Sequence, residues 1–138
     1  MKVLIICTGN SCRSQMAEGF LKSFDNNIEV QSAGTEPALQ VNRTAIKVMK
    51  EVGIDISKNK PESIERFINT GWDYVITVCD NARESCPVFT GKVKNRLHMG
   101  FEDPSEFKGD DEQVLNEFRR IRDLIRDRFH TFYKENLK

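Results

Sequence analysis

Two pairs of cysteines carry the chemical interest of this sequence, Cys7 with Cys12 and Cys79 with Cys86. Cys7 opens the stretch Cys7-Thr8-Gly9-Asn10-Ser11-Cys12-Arg13-Ser14, which is short and polar and joins an apolar run to an amphipathic one. In a strand-to-helix loop of that kind, successive backbone N–H groups point at one oxyanion and the helix dipole adds positive potential. Gly9 is the residue expected to supply a positive φ. Arg13, at the helix start, would grip two equatorial oxygens with its planar fork. Thr8, Gly9, Asn10, Ser11, Cys12, Arg13 and Ser14 are therefore the expected oxyanion-binding residues. A thiol at a helix N-terminus beside a cation has its pKa lowered to roughly 3.5–7.5, and a Ser14 hydroxyl would stabilise the thiolate further. Cys7 thus reads as a nucleophile aimed at the centre of a bound tetrahedral oxyanion.

The alternatives are specific. The G-x-x-x-x-G-K-[ST] and G-x-G-x-x-G patterns are absent, so the loop is not a nucleotide cradle. A C-x5-R string arises by chance, in which case Cys7 is a buried strand-end thiol and Arg13 a solvated helix residue; its place between strand and helix favours the functional reading. Neither cysteine pair is a C-x-x-C knuckle, so a zinc ribbon fits poorly. A mixed metal site using His98 stays open on spacing alone, behind a redox or nucleophilic role.

The elements that must position these residues alternate between strand and helix. Lys2 to Ile6 is a strand buried on both faces, and a helix follows from Ser14 with Ala17, Phe20, Leu21 and Phe24 on one stripe. Ile28 to Ala33 alternates as a second strand. Asn42 caps a helix carrying Ile46, Met49 and Val52, which Gly53 stops. A shorter helix is predicted from near Pro61 through Ile64, Phe67 and Ile68 to Gly71, then a strong strand over Asp73 to Cys79 and a weaker one over Val93 to His98. Residues 80 to 92 read as irregular or briefly helical. Asp110 and Gln113 form a capping box for a long last helix, with Val114, Phe118, Ile121, Ile125, Phe129 and Phe132 on its buried stripe. The mixed charges from Arg119 to Arg128 read as its solvated face. The class is α/β, a parallel sheet with helices on both faces, and chemistry in such folds sits beyond the carboxyl ends of the strands.

Composition sets the frame. The 138 residues fit a single domain, with 21 Lys and Arg balancing 21 Asp and Glu. That balance argues against nucleic acid as a partner, and no polybasic segment is present to hold a membrane. No apolar run approaches a membrane span, and the opening run of Lys2 to Ile6 is too short for a signal peptide. A cytoplasmic protein is expected, in a reducing compartment where a structural disulfide framework is disfavoured.

The segment from Cys7 to Gly19, with its C-x5-R-S core, resembles the low-molecular-weight protein tyrosine phosphatase superfamily, and more closely its thioredoxin-coupled arsenate reductases. The resemblance runs over essentially the whole chain and includes Ser32-Ala33-Gly34-Thr35, the Cys79-x6-Cys86-Pro87 pair and Asp103-Pro104. It implies a single domain over residues 1–138, with a four-stranded parallel sheet in the order 2-1-3-4. It also implies a relay in which Cys7 attacks arsenate, Asp103 protonates the leaving hydroxyl, Cys79 attacks Cys7, and Cys86 moves the disulfide outward for thioredoxin to reduce. Seven residues of helix advance about 10.5 Å, whereas disulfide Cα atoms lie within about 6.8 Å, so a helical 80–86 segment has to open for that last step.

On the same resemblance thioredoxin is the reductant and no cofactor is held tightly. Cys12 reads as structural or accessory, and Glu102 as a weaker candidate acid than Asp103. Asn10 and Ser32 brace the loop, and with Glu18 they are a candidate site for a monovalent cation. His98 and His130 have no evident catalytic partner, and a monomer is expected. The competing readings are a tyrosine phosphatase and a non-catalytic oxyanion-binding redox sensor. Asp103-Pro104 is followed by Ser105-Glu106 rather than by aromatic residues, which suits a small naked oxyanion better than a phosphotyrosine.

Overall fold

The computed structural model describes residues 1–138. Strand β1 (Lys2–Cys7) leads to helix α1 (Arg13–Phe24), followed by β2 (Glu29–Gly34), α2 (Arg43–Glu51), β3 (Trp72–Thr77), α3 (Asp80–Ser85), β4 (Val93–His98) and α4 (Asp111–Asn136). The four strands form one parallel sheet in the order β2-β1-β3-β4. Every connection is therefore a crossover, and the carboxyl ends of all four strands share one edge. In register, Cys7 stands beside Gly34, Ile6 beside Thr77, and Thr77 beside His98.

The central strand shows why its sequence is unbroken in apolar character. Val3, Leu4, Ile5 and Ile6 are all fully buried, and successive strand residues point to opposite faces, so both faces of β1 are covered. Helices α1 and α4 pack together, and α2 packs on α4. Phe118, Ile121, Ile125, Phe129 and Phe132 face this core from α4, each contributing about 1.5–3 kcal/mol by burial. The caps are the expected ones. Asn42 Oδ1 accepts from the Thr44 and Ala45 amides at 2.9 and 3.0 Å, and Gly53 leaves α2 with φ +82°. Asp110 and Gln113 form the reciprocal capping box of α4.

Five expectations are corrected. The helix predicted from near Pro61 is only a 3-10 turn, Ile64–Arg66. Ser63 is held extended by a bridge to Gly34, and the Ile68 carbonyl accepts from Thr90 and Gly91 rather than from a helical turn. β3 ends at Thr77, so Cys79 lies beyond the strand and caps α3 with extended backbone. Val52 is exposed at the end of α2, and Val114 is half-buried at the rim of the α4 stripe. Arg122 does not belong to a solvated face: it is 8% exposed and its Nη1 donates to the Val48 carbonyl and to Glu51.

Candidate active site

The loop after β1 is shaped chiefly by Asn10. It is fully buried and has φ +51°, so the left-handed residue is Asn10 and not Gly9. Asparagine tolerates that conformation when its amide is bonded locally. Here Nδ2 donates to Ser14 Oγ at 2.8 Å and to Ser32 Oγ at 2.9 Å, while Oδ1 accepts from the Glu62 amide at 2.9 Å and from Gln15 Nε2 at 3.2 Å. The glycine that the loop demands is Gly34 on β2, where an added Cβ would lie 2.5 Å from the Thr8 carbonyl oxygen. Gln15 is equally buried and donates to the Asn10 carbonyl. Gly34 was visible in the Ser32-Ala33-Gly34-Thr35 stretch and Gln15 lay within the Cys7–Gly19 segment without an assigned role, whereas nothing in sequence marked Glu62.

Held this way, the loop wraps Cys7, which is 3% exposed. Its Sγ accepts from the Asn10 amide at 3.1 Å and lies 2.8 Å from Ser14 Oγ. The amides of Gly9, Ser11, Cys12 and Arg13 find no acceptor within the protein, leaving a ring of N–H donors around the thiol. That is the arrangement of an oxyanion cradle at a helix N-terminus. The ready ionisation expected of Cys7 meets an opposing cause. Burial pushes the thiol above its ordinary value, against the Ser14 hydroxyl, the Ser14 and Asn10 backbone and the Arg13 charge, which all pull it down. Cys12, 5% exposed, is likewise driven up by burial and by the Asp103 charge, which keeps it a neutral thiol.

Arg13 and Asp103 face each other across the mouth. Arg13 Nη1 donates to the Phe101 carbonyl at 2.9 Å, and Nη2 lies 3.4 Å from Asp103 Oδ2. Asp103 anchors itself through Oδ1, which accepts from the Ser105 amide and hydroxyl, so Oδ2 is the oxygen left toward the cleft. Glu102 lines the same cleft but is paired with Arg120 at 2.9 Å. The cleft itself has a volume of about 740 Å³ and is lined by Thr8, Arg13, Cys79, Asn81 and Asp103 among others.

Cys79 joins this site from the turn between β3 and α3. It is 4% exposed, its Sγ lies 3.4 Å from Thr8 Oγ1, and it accepts from the Ala82 amide at 3.4 Å. Asn81 Nδ2 donates to Thr8 Oγ1 at 2.9 Å, which leaves the threonine proton free to point at the thiol. Cys86 is brought no closer than the far end of α3; it is half-buried, with Sγ 3.7 Å from the Pro87 carbonyl. Burial raises its pKa and Arg96 opposes the rise. All four cysteines are free thiols. His98, for which no catalytic partner was expected, bonds Thr77 and Asp80.

The polar cluster at Asn10, Glu18 and Ser32 fits a monovalent cation poorly as arranged. Ser32 donates its proton to Glu18 Oε1 at 2.7 Å, the Lys22 ammonium sits 2.9 Å from Oε2, and Asn10 presents its NH₂ side. A cation would find one carboxylate, already paired. No group of three or more His, Cys, Asp or Glu side chains is placed to hold a metal, and no helix is long and apolar enough to cross a membrane.

Comparison with known proteins sets this geometry in a family. Curated relatives named arsenate reductase include that of Halalkalibacterium halodurans, 46% identical over 131 residues covering 94% of this chain and 93% of the relative. That of Bacillus subtilis is 44% identical over 131 residues, with the same coverage. A solved arsenate reductase in the phosphate binding state superposes with a TM-score of 0.79 at 36% identity, covering 97% of each chain. A low molecular weight protein tyrosine phosphatase from T. tengcongensis does so with 0.77 at 25% identity, covering 98% of this chain and 99% of that one. The family model for low molecular weight phosphotyrosine protein phosphatase matches residues 2–138, and the chain belongs to that family.

Proposed function

We propose that this protein reduces arsenate to arsenite with Cys7, Cys79 and Cys86 as a thiol relay and thioredoxin as the reductant. The observation that carries the reading is the placement of Cys79 against the oxyanion loop through Thr8, with Cys86 at the other end of α3. A hydrolytic phosphatase needs only the cysteine in the loop. The arsenate reductase relatives support the same choice.

The reaction follows from these positions. The unpaired loop amides and Arg13 hold arsenate over Cys7; the thiol proton passes to Asp103, the thiolate forms an S–As bond, and a hydroxyl leaves as water on taking that proton from Asp103. Cys79 attacks Cys7 Sγ, the S–As bond breaks toward arsenic, and As(V) leaves as As(III) with a Cys7–Cys79 disulfide behind it. Cys86 then attacks Cys79 and frees Cys7. Thioredoxin supplies the two electrons that reopen the Cys79–Cys86 bond. No tightly bound cofactor is required, and the chain works as a monomer in the cytoplasm.

The test is arsenate-dependent NADPH oxidation with thioredoxin and thioredoxin reductase, comparing the parent with Cys7→Ser, Cys79→Ser and Cys86→Ser. Multiple turnover by the parent alone supports the relay. The ion pair of Arg13 with Asp103 also suits phosphate monoester hydrolysis. A parent inactive on arsenate that hydrolyses p-nitrophenyl phosphate, with only Cys7→Ser abolishing it, would make the protein a phosphatase.

A further inference from the structure

His98 joins the two ends of the segment that bears Cys79. Its Nδ1 lies 2.8 Å from Thr77 Oγ1 and its Nε2 lies 3.0 Å from Asp80 Oδ1. A neutral imidazole with its proton on Nε2 satisfies both contacts, donating to Asp80 and accepting from the Thr77 hydroxyl. Thr77 is the last residue of β3 and Asp80 the first of α3, so one ring on β4 spans the turn containing Val78 and Cys79. Gly100 leaves the pair room, since an added Cβ there would come within 3.2 Å of Nε2 and 3.8 Å of Asp80 Oδ1.

We propose that His98 is a positioning residue which clamps the first turn of α3 and so opposes closure of the Cys79–Cys86 disulfide until Asp80 lets go of the imidazole. The inference rests on the relay reading above. Its physical basis is the shortness of α3. Six residues of helix separate the two thiols, and bringing their Cα atoms within about 6.8 Å breaks that helix, including its first hydrogen bond from Arg83 N to the Cys79 carbonyl. Every contact fixing Asp80 therefore stabilises the dithiol over the disulfide. In the step itself the Cys86 thiolate attacks Cys79 Sγ, the Cys79–Cys86 bond forms, and Cys7 departs as thiolate with the electron pair of the broken Cys7–Cys79 bond, so no outside oxidant enters. Asp80 is exposed, which limits the clamp to the strength of an ordinary hydrogen bond. Its loss shifts the dithiol–disulfide equilibrium toward disulfide by about 3–10-fold, or about 15–30 mV for a two-electron couple.

The experiment equilibrates a Cys7→Ser/Cys12→Ser parent in buffers of reduced and oxidised dithiothreitol and counts alkylated thiols by mass. His98→Ala and His98→Asn, which lose the Asp80 contact, are expected to shift toward disulfide by 3–10-fold. His98→Gln, whose amide reaches the place of Nε2, is expected to stay within about twofold of the parent. Combining His98→Ala with Asp80→Ala should add nothing to Asp80→Ala alone. A general loss of packing would not distinguish Gln from Asn. If the parent forms the disulfide and His98→Ala leaves the equilibrium unmoved, or Gln behaves as Ala, the clamp is overturned. A parent that never forms the disulfide overturns the relay, and the clamp with it.

Discussion

Replacing Ser14 with alanine isolates the strongest side-chain contact to the nucleophile. Ser14 Oγ lies 2.8 Å from Cys7 Sγ and accepts from Asn10 Nδ2 on its other side, which turns its proton toward the sulfur. That hydrogen bond favours the thiolate, so its removal raises the Cys7 pKa above the already elevated value that burial imposes. A hydrogen bond to a charged group contributes about 1.5–3 kcal/mol, and 1.36 kcal/mol is one pKa unit. The thiol pKa should therefore rise by about 1–2 units, and below it the thiolate fraction should fall by about 10- to 100-fold at fixed pH. The assay is the pH dependence of iodoacetamide alkylation of Cys7 in a Cys12→Ser/Cys79→Ser/Cys86→Ser background. Ser14→Thr, which keeps the hydroxyl, should restore most of the rate. Apparent pKa values that agree within about 0.3 unit between the serine and alanine chains would refute the argument.

Three further outcomes follow from the same structure. Cys7 and Cys12 are both held above the ordinary thiol range, so the unfolded chain releases their protons first as pH rises. Stability is intact below that range and should fall by about 1.4 kcal/mol per thiol per pH unit above it, read as the urea midpoint at pH 7.5 against pH 9.5. Gly34→Ala puts a Cβ against the Thr8 carbonyl and should lower kcat by about 100-fold by displacing the loop, with a loss of about 1–3 kcal/mol in urea unfolding. Glu51 is held down to about 2 by Arg119 and Arg122, so its contribution is present above the usual carboxylate range and is lost as pH falls toward 2. Glu51→Gln should remove that acid-side loss and lower neutral stability by about 1 kcal/mol, because Arg122 loses one of its two carboxylate partners while keeping Asp123 and the Val48 carbonyl.

Much of the framework was legible because local pattern and tertiary structure agree. Lys2 to Ile6 is apolar on both faces and is buried on both. Asn42, Gly53 and the Asp110–Gln113 box mark helix ends whose chemistry is local. The strand order came from the family resemblance, not from periodicity. Legibility failed where a distant segment decides the outcome. Ser63 is extended because Gly34 pairs with it, 29 positions away, and no local signal cancels the apolar spacing of Ile64, Phe67 and Ile68. Gly9 looked like the permissive residue, yet Asn10 takes the left-handed conformation because Ser32 and Glu62 satisfy its amide. In the same way the loop residues were readable as a string, while the contact of Cys79 with Thr8 and the contacts of His98 exist only once β3 and β4 are docked.

The contact between the Asn10 side chain and the Glu62 amide spans 52 residues, and this has a consequence for how the chain acquires its reactivity. The oxyanion loop is contiguous in sequence but cannot hold its shape as an isolated strand–loop–helix unit. Its bracing needs β2 beside β1, through Ser32 and Gly34, and then the 60–63 segment laid across the end of β2. Parallel pairings of such separation close late, because loop entropy is lost before the contacts compensate it. A refolding chain should thus recover helical signal first and a protected, slow-alkylating Cys7 last, so the reactive cysteine is its own reporter of the final folding step.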